Sequence, residues 1–391
     1  MKKKIAILGS TGSIGVNSLK IIEKKKSIFK IKILMAKKNY KSICNQINSF
    51  KPEIFIIDDL NTYLKIKKKY KNFKKKIFNT LDLNEKKIPK LDIVISAIPG
   101  IAGLEPTLKL IKKSKKMLIA NKESIICGWS MISKFSKKNN CKIIPVDSEH
   151  YSIMKILEHE KMSDVNKIYL TASGGPFLNY KTSSLKNVKP NAALKHPKWK
   201  MGKKISIDSA SLMNKILELI EAQKLFSVNE KKLDIVIHPN SLVHAIVHFK
   251  NGLYKFIYHE TTMMIPLANA IFEKDLDISK FLKPKLNGKN LFFNNLFFQK
   301  VDDKKFPIIK LKKRVNEYIS TPIIVNAANE IIVDQYLTKK IPFNSFYKYL
   351  LMVLNDKNYK IYAIKDPKNI EQIYEIDAWA RQTTINKILN D

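Results

Sequence analysis

The chain has 391 residues, 45% hydrophobic and 27% charged, with 72 Lys and Arg against 34 Asp and Glu for a formal charge of +38. That apolar share excludes a disordered polybasic chain and supplies material for two or three cores. Three widely spaced cysteines (Cys44, Cys127, Cys141) exclude a disulfide framework and show no zinc spacing. The longest uncharged stretch, between Asp234 and Lys250, carries three histidines and a proline, so no membrane span is expected. Met1-Lys-Lys-Lys4 ahead of Ile5-Ala-Ile-Leu8 is too short for a signal peptide and ends at Gly9, which reads as a β-strand opening a cytoplasmic protein. Only Arg314 and Arg381 are arginines, and the lysines scatter through solvent-type positions such as Lys67–Lys69. Base readout and bidentate phosphate contacts favour arginine's planar fork, so no nucleic-acid partner is expected, whereas a small anionic substrate is attracted.

Strand patterns fall at Lys4–Leu8, Ile31–Ala36, Glu53–Asp58, Asp92–Ala97, Met117–Ala120 and Lys142–Val146, with helix-length stretches between them. Apolar runs such as Ile93-Val-Ile95 fit strands buried on both faces, and their alternation with helices predicts a Rossmann-like, doubly wound parallel sheet over residues 1–146. From Asp147 the pattern changes to strands at Lys167–Ala172, Leu233–His238, Ser241–Phe249 and Leu253–His259 with one long helix near Ser209–Phe226. These predict a central α+β catalytic domain over 147–274, followed by a Lys/Asn-rich linker over 275–305. Helical patterns at Tyr318–Thr338, Asn344–Asn355 and Ile370–Asn390 then predict a C-terminal helical bundle over 306–391.

Gly9-Ser-Thr-Gly12-Ser-Ile-Gly15 follows the first strand and opens a helix, where glycines let amide N–H groups and the helix dipole approach a pyrophosphate. The spacing is G-x-x-G-x-x-G, and an ordinary glycine-rich turn is the alternative. The second strand ends at Lys37, Lys38 and Asn39, with no carboxylate for a ribose hydroxyl, which favours NADP over NAD. Asp147-Ser148-Glu149 closes the last parallel strand; if the strand persists, side chains two apart share a side. The long helix, read as starting from capping residues at Asp208, carries Ser211, Asn214, Lys215 and Glu218 opposite its apolar stripe. Asp147, Glu149 and Glu218 offer three oxygen donors without cysteine, a set suited to Mg²⁺ or Mn²⁺ with positions left open for substrate. Ser173-Gly-Gly-Pro-Phe177 is a turn or a close approach to a phosphate or sugar. His196-Pro-Lys-Trp199-Lys-Met201-Gly202 is a ligand-covering flap or a connection anchored by its tryptophan. His244 and His248 sit in strand alternation, which speaks against metal ligation, and His150 and His238 stay ambiguous.

Together, Gly-Ser-Thr-Gly-Ser-Ile-Gly at 9–15, Ala-Asn-Lys-Glu-Ser at 120–124, Pro-Val-Asp-Ser-Glu-His at 145–150, Ala-Ser-Gly-Gly-Pro-Phe at 172–177, His-Pro-x-Trp at 196–199 and Met-Asn-Lys at 213–215 resemble the 1-deoxy-D-xylulose 5-phosphate reductoisomerase family. Asn-Ala-Ala-Asn-Glu at 326–330 extends the resemblance into the C-terminal helices. It implies a homodimeric, NADPH-dependent enzyme using Mg²⁺ or Mn²⁺, with Co²⁺ as a further candidate. The implied reaction turns 1-deoxy-D-xylulose 5-phosphate into 2-C-methyl-D-erythritol 4-phosphate in non-mevalonate isoprenoid synthesis. Matching positions would place the metal on Asp147, Glu149 and Glu218, and the sugar phosphate on Ser148, Ser173, His196, Ser209, Asn214 and Lys215. Trp199 and Met201 would close over the substrate, and Lys122 would lie near substrate and nicotinamide. Thr11, Gly12, Ser13, Ile14, Lys38, Asn39, Asn121, Glu123 and Gly202 would meet the cofactor. Three departures stand out. Lys37 occupies a place more often glycine and would join the cofactor set, Lys200 replaces a smaller polar residue, and Thr261-Thr-Met-Met264 replaces a stretch with Asp and Arg.

Overall fold

A computed structural model describes residues 2–71, 76–79, 88–199, 201–274, 276–282 and 295–391. They group into two compact units, the first drawn from Met1–Ser124, Trp129–Asp147 and Met263–Leu286, the second from Ile125–Gly128, Ser148–Thr262 and Asn287–Asp391. Much of the expected linker, 283–294 and residue 275, lies outside the described residues, as does Lys200.

The first unit alternates strand and helix. It runs β1 (Lys3–Leu8), α1 (Ser13–Glu23), β2 (Phe29–Ala36), α2 (Tyr40–Phe50), β3 (Ile54–Ile57) and α3 (Leu60–Lys69). β4 (Lys76–Phe78), β5 (Leu91–Ser96), α4 (Leu104–Ile111), β6 (Ser114–Ile119), α5 (Lys122–Lys138) and β7 (Lys142–Pro145) follow. The seven strands form one sheet in the order β4-β3-β2-β1-β5-β6-β7, parallel throughout. Ile5 to Leu8 and Val94 to Ile95 are fully buried, as expected of a doubly wound sheet covered on both faces. β4 escapes the sequence patterning because it is a three-residue edge strand with lysine at its start, a common way to blunt an edge.

β6 begins three residues earlier than its apolar run, because Lys116 belongs inside the sheet. Its ammonium donates to the Ala270 and Ile271 carbonyls (2.9 and 3.3 Å) and pairs with Glu273 (3.3 Å). A lysine at the carbonyl end of a helix satisfies orphan acceptors and the dipole at once. These carbonyls end a helix at Met264–Phe272, which sequence patterning groups with the central segment but which packs in this unit beside α1.

The second unit is α+β. In chain order it holds α6 (Ser148–Ile156), β8 (Val165–Ala172), α7 (Pro190–Ala193), α8 (Lys203–Ser211), α9 (Met213–Phe226), β9 (Leu233–Ile237), β10 (Val243–Phe249) and β11 (Tyr254–Tyr258). The helix of the first unit at Met264–Phe272 is α10, and β12 (Gln299–Lys300), α11 (Thr321–Leu337), α12 (Phe346–Leu354), α13 (Tyr359–Ala363) and α14 (Ile370–Leu389) complete the second. The sheet order is β11-β10-β8-β9-β12, with β8 and β9 parallel and the other pairs antiparallel. α6 packs on β10 and on α9, while α11, α12 and α14 pack on one another.

The single helix expected over Ser209–Phe226 is two. Leu212 takes a left-handed conformation (φ 64°) between α8 and α9. The Ser211 hydroxyl fixes the break, donating to the Ile207 carbonyl (3.1 Å) and accepting from the Met213 amide (3.3 Å). Asp208 is therefore no cap. It lies inside α8, nearly fully buried, and takes Asn329 Nδ2 (2.8 Å) from α11 and Lys204 (3.2 Å).

Candidate active site

The glycine turn follows β1 tightly. Gly9 has φ 82°, and a Cβ there would lie 2.5 Å from the Ala97 carbonyl oxygen. A Cβ on Gly15 would run into the Gly9 oxygen, so helix α1 sits directly on the turn only because Gly15 lacks a side chain. Gly12 precedes α1 with extended backbone, which leaves Thr11, Gly12, Ser13 and Ile14 around the amide-rich start of the helix. Ser10 is locked from α2: its hydroxyl donates to Gln46 Oε1 (2.7 Å), and Gln46 Nε2 returns to the Ser10 carbonyl (2.9 Å). Gln46 is absent from the sequence expectations, because a polar residue within a helix carries no such signal.

Lys37 and Lys38 follow β2 as exposed cations, Lys37 Nζ standing 4.0 Å from Asp58. Asn39 caps α2, accepting from the Ser42 amide (3.1 Å). Asn121 likewise caps α5, accepting from the Ser124 amide (2.6 Å), while its Nδ2 donates to the carbonyls of Ile98 and of Gly100 (2.9 Å). The Asn121 side chain thus ties the loops after β5 and β6 together and is spent on structure. Lys122 and Glu123 open α5, both nearly buried, and the Lys122 ammonium donates to Asp147 Oδ2 (3.1 Å).

The acidic cluster differs in one respect from the sequence expectation. β7 ends at Pro145, and Ser148 already begins α6, so Glu149 stands in the first turn of a helix and the two-residue strand repeat does not apply. What brings Glu149 to Glu218 is the packing of α6 on α9. Lys215, one turn before Glu218, lies between them: its ammonium donates to Glu149 Oε1 and to Glu218 Oε2 (2.6 Å). Asn214 Nδ2 donates to Glu218, and the Ser148 hydroxyl donates to Glu149. Lys215 and Glu218 are 6% and 1% exposed, so this polar helix face is interior and its charges compensate one another. Asp147 is peptide-bonded to the start of α6, two residues before Glu149, and is the residue that pairs with the Lys122 ammonium. Hard, oxygen-only and backed by buried ammonium groups, this donor set fits a small divalent cation. His150 Nε2–H donates to the Glu218 carbonyl (2.9 Å), and Nδ1 stands 3.5 Å from Glu221, all but fully buried. Glu221 is absent from the sequence expectations; its signal is a second acid three residues after Glu218 in an acid-poor chain.

Ser173 and His196 meet at 3.0 Å. His196 Nδ1 accepts from the amides of Lys198 (3.1 Å) and Trp199 (2.9 Å), which puts its proton on Nε2 and makes it the donor to Ser173 Oγ. Burial, aided by the nearby Lys215 charge, pushes the imidazole down to about 4, so it is neutral near pH 7. Ser173 Oγ also accepts from the Gly175 amide (3.1 Å), which leaves the hydroxyl proton free to point at a ligand. Gly174 and Gly175 have φ 81° and 66°, and a Cβ on Gly175 would lie 2.8 Å from the Ser209 carbonyl. The turn is pressed onto α8 beside Ser209, so all three residues share one locale. The Trp199 ring stands edge-on to His244 at 6.1 Å, and His244 stacks on His259 at 3.8 Å. His244 lies on β10, in keeping with its alternation. Gly202 precedes α8 with open space where a Cβ would be, and Met201 is half-buried just before it.

A doubly wound sheet with a glycine turn at its first strand, joined to an α+β unit bearing a carboxylate cluster, defines a dinucleotide-dependent, metal-assisted enzyme class. Family models narrow this further: that of 1-deoxy-D-xylulose 5-phosphate reductoisomerase matches residues 5–128, and those of its C-terminal domains match 143–226 and 260–383. The chain belongs to this family. It is 44% identical to the 1-deoxy-D-xylulose 5-phosphate reductoisomerase of Pelagibacter ubique, covering 96% of this chain and 97% of that one. With that of Thermodesulfovibrio yellowstonii it shares 38% identity over 99% of each. A solved DOX-P reductoisomerase in complex with NADPH, fosmidomycin and magnesium superposes with TM-score 0.89 at 30% identity, over 99% and 98% of the two chains. The Zymomonas mobilis enzyme in complex with NADPH superposes with TM-score 0.86 at 29% identity, over 99% of each.

Proposed function

We propose that Asp147, Glu149 and Glu218 hold the divalent cation of an NADPH-dependent 1-deoxy-D-xylulose 5-phosphate reductoisomerase. The reaction is rearrangement and reduction of 1-deoxy-D-xylulose 5-phosphate to 2-C-methyl-D-erythritol 4-phosphate. The observation that supports the assignment is the meeting of Glu149 and Glu218 around the buried Lys215 ammonium, with Asp147 two residues before Glu149 in the chain. When bound, the cation supplies Lewis-acid polarisation of substrate oxygens, and NADPH supplies the hydride.

The chain's own groups do the rest. Lys122 and Lys215 offset the acid charge, which lowers the repulsion between the carboxylates. Ser173, oriented by the neutral His196 and with its own proton free, donates to the substrate's phosphate or hydroxyl oxygens, and Ser148, Ser209 and Asn214 complete the contacts. Fixing the phosphate end orients the reacting end. Trp199 and Met201 cover the substrate, which keeps water from the rearranging carbon skeleton. Thr11, Gly12, Ser13 and Ile14 take the pyrophosphate on the α1 amides, and Lys37, Lys38 and Asn39 take the ribose phosphate. Asn121, Glu123 and Gly202 complete the cofactor contacts, Asn121 through its backbone because its side chain is engaged.

The enzyme acts as a homodimer in this reading. β11 is an edge strand exposing Tyr254 (57%) and Phe256 (47%), with Leu253 beside it at 57%, an apolar edge suited to a second copy. The cytoplasmic placement draws support from three buried cysteines, none of them in a disulfide. No helix among the described residues is long and apolar enough to cross a membrane.

The test is NADPH oxidation followed by absorbance. Turnover should require both the sugar phosphate and Mg²⁺ or Mn²⁺, and Glu149→Gln should lower kcat by about two orders of magnitude or more. Full activity of Glu149→Gln in excess chelator would overturn the metal assignment.

A further inference from the structure

The second unit carries a surface cleft of about 550 Å³ that none of the site residues above lines. Its walls include Lys224, Asn316, Glu317, Ile319, Pro322 and Ile364. Lys224, near the end of α9, is the cation among them.

The acid in the cleft is not available to that lysine. Glu317 is engaged by Arg314 (2.8 Å) and accepts from the Tyr359 hydroxyl (3.3 Å), while Asn316 donates to Glu230 (2.6 Å). Among the described residues Lys224 has no hydrogen bond or ion pair, and the one ionisable group acting on it is the Cys127 thiol. Burial accordingly pulls its ammonium below the ordinary lysine range. Part of the rim is apolar, with Ile319 and Ile364 exposed by 61% and 52%. An uncompensated cation beside exposed apolar side chains is complementary to a molecule with the opposite charge and a short hydrocarbon body.

We propose that this cleft is a binding site for a small amphipathic anion, its charged head on Lys224 and its apolar body against Ile319, Pro322 and Ile364. This goes beyond the reductoisomerase reading and does not rest on it. Octanoate is the probe, with acetate as head alone and octanol as tail alone, each followed by equilibrium dialysis against the full-length protein. Octanoate should bind saturably, at least tenfold more tightly than either fragment. Lys224→Gln should weaken it at least tenfold, Lys224→Arg should restore most of the affinity, and Ile364→Ser should weaken it with the charge intact. Equal binding by Lys224→Gln, or no saturable binding by a wild-type protein whose circular dichroism is native, would overturn the proposal. So would concentration-dependent association that Ile364→Asp abolishes without any octanoate binding, since the face would then belong to a second copy.

Discussion

His196 shows how a side chain's role follows from its bonds more than from its type. Two amides on Nδ1 leave Nε2–H as donor to Ser173, and burial holds the ring neutral down to about 4. The unfolded chain's histidine titrates near 6.5, so between that value and 4 the unfolded state binds more protons. The stability contribution of a neutral His196 is therefore present above pH 6.5 and declines as pH falls toward 4. Thermal melts across this window should show a destabilising slope that His196→Gln reduces; an unchanged slope would refute the neutral assignment. Gly15 makes the complementary case. Its absent Cβ is what lets α1 meet the turn, so Gly15→Ala should raise the Kd for NADPH by more than about tenfold, or about 1.4 kcal/mol. Fluorescence titration measures this, and unaltered affinity would mean the turn yields without consequence. Both arginines have gone to structure: Arg381 joins Asp377 and Glu330, and Arg314 joins Glu317 and the Leu354 carbonyl. Their planar forks serve helix packing, and lysine supplies the cations of the candidate site.

Among helices and strands, the break at Leu212 matters most. α9 begins directly after it and carries Lys215 and Glu218, and the Lys215 ammonium meets Glu149 of α6. The left-handed conformation costs a branched residue about 1–2 kcal/mol, whereas losing a buried leucine side chain costs about 2–5 kcal/mol. Leu212 is 2% exposed, so packing outweighs strain. Leu212→Gly should thus lower stability by a net of about 1–3 kcal/mol in urea unfolding, and a stabilised variant would show that strain dominates. The sequence hides this break because nothing in Ser-Leu-Met signals a left-handed residue, which glycine or asparagine ordinarily marks. Patterning misplaces Glu149 for a related reason: Pro145-Val-Asp-Ser continues an apolar strand pattern, and only the backbone shows the helix starting at Ser148. The Asn326–Glu330 motif, which enters the sequence reading only through resemblance, has a physical cause in the buried Asn329 bond to Asp208 and the Glu330 pair with Arg381.

Across the chain, the outer edge of β11 governs assembly in the proposed reading. Tyr254→Lys combined with Phe256→Lys puts charge on that edge and should yield a monomer by analytical ultracentrifugation; a persistent dimer would move the interface elsewhere. The excess of lysine has a local logic as well. Lys32 meets Glu53 and Lys116 caps α10, so some lysines in apolar surroundings are structural cations and not solvent-facing ones.

Period and punctuation in the amino-acid order were enough to determine six of the seven strands of the first unit, the glycine turn and the helical C-terminal region, because each depends on contacts within a few residues. They also named the acids. Which way those acids point was decided only in three dimensions, by a left-handed leucine, by α6 packing on α9 and by the lysine held between them. Such outcomes depend on residues distant along the chain, and local periodicity carries no information about them.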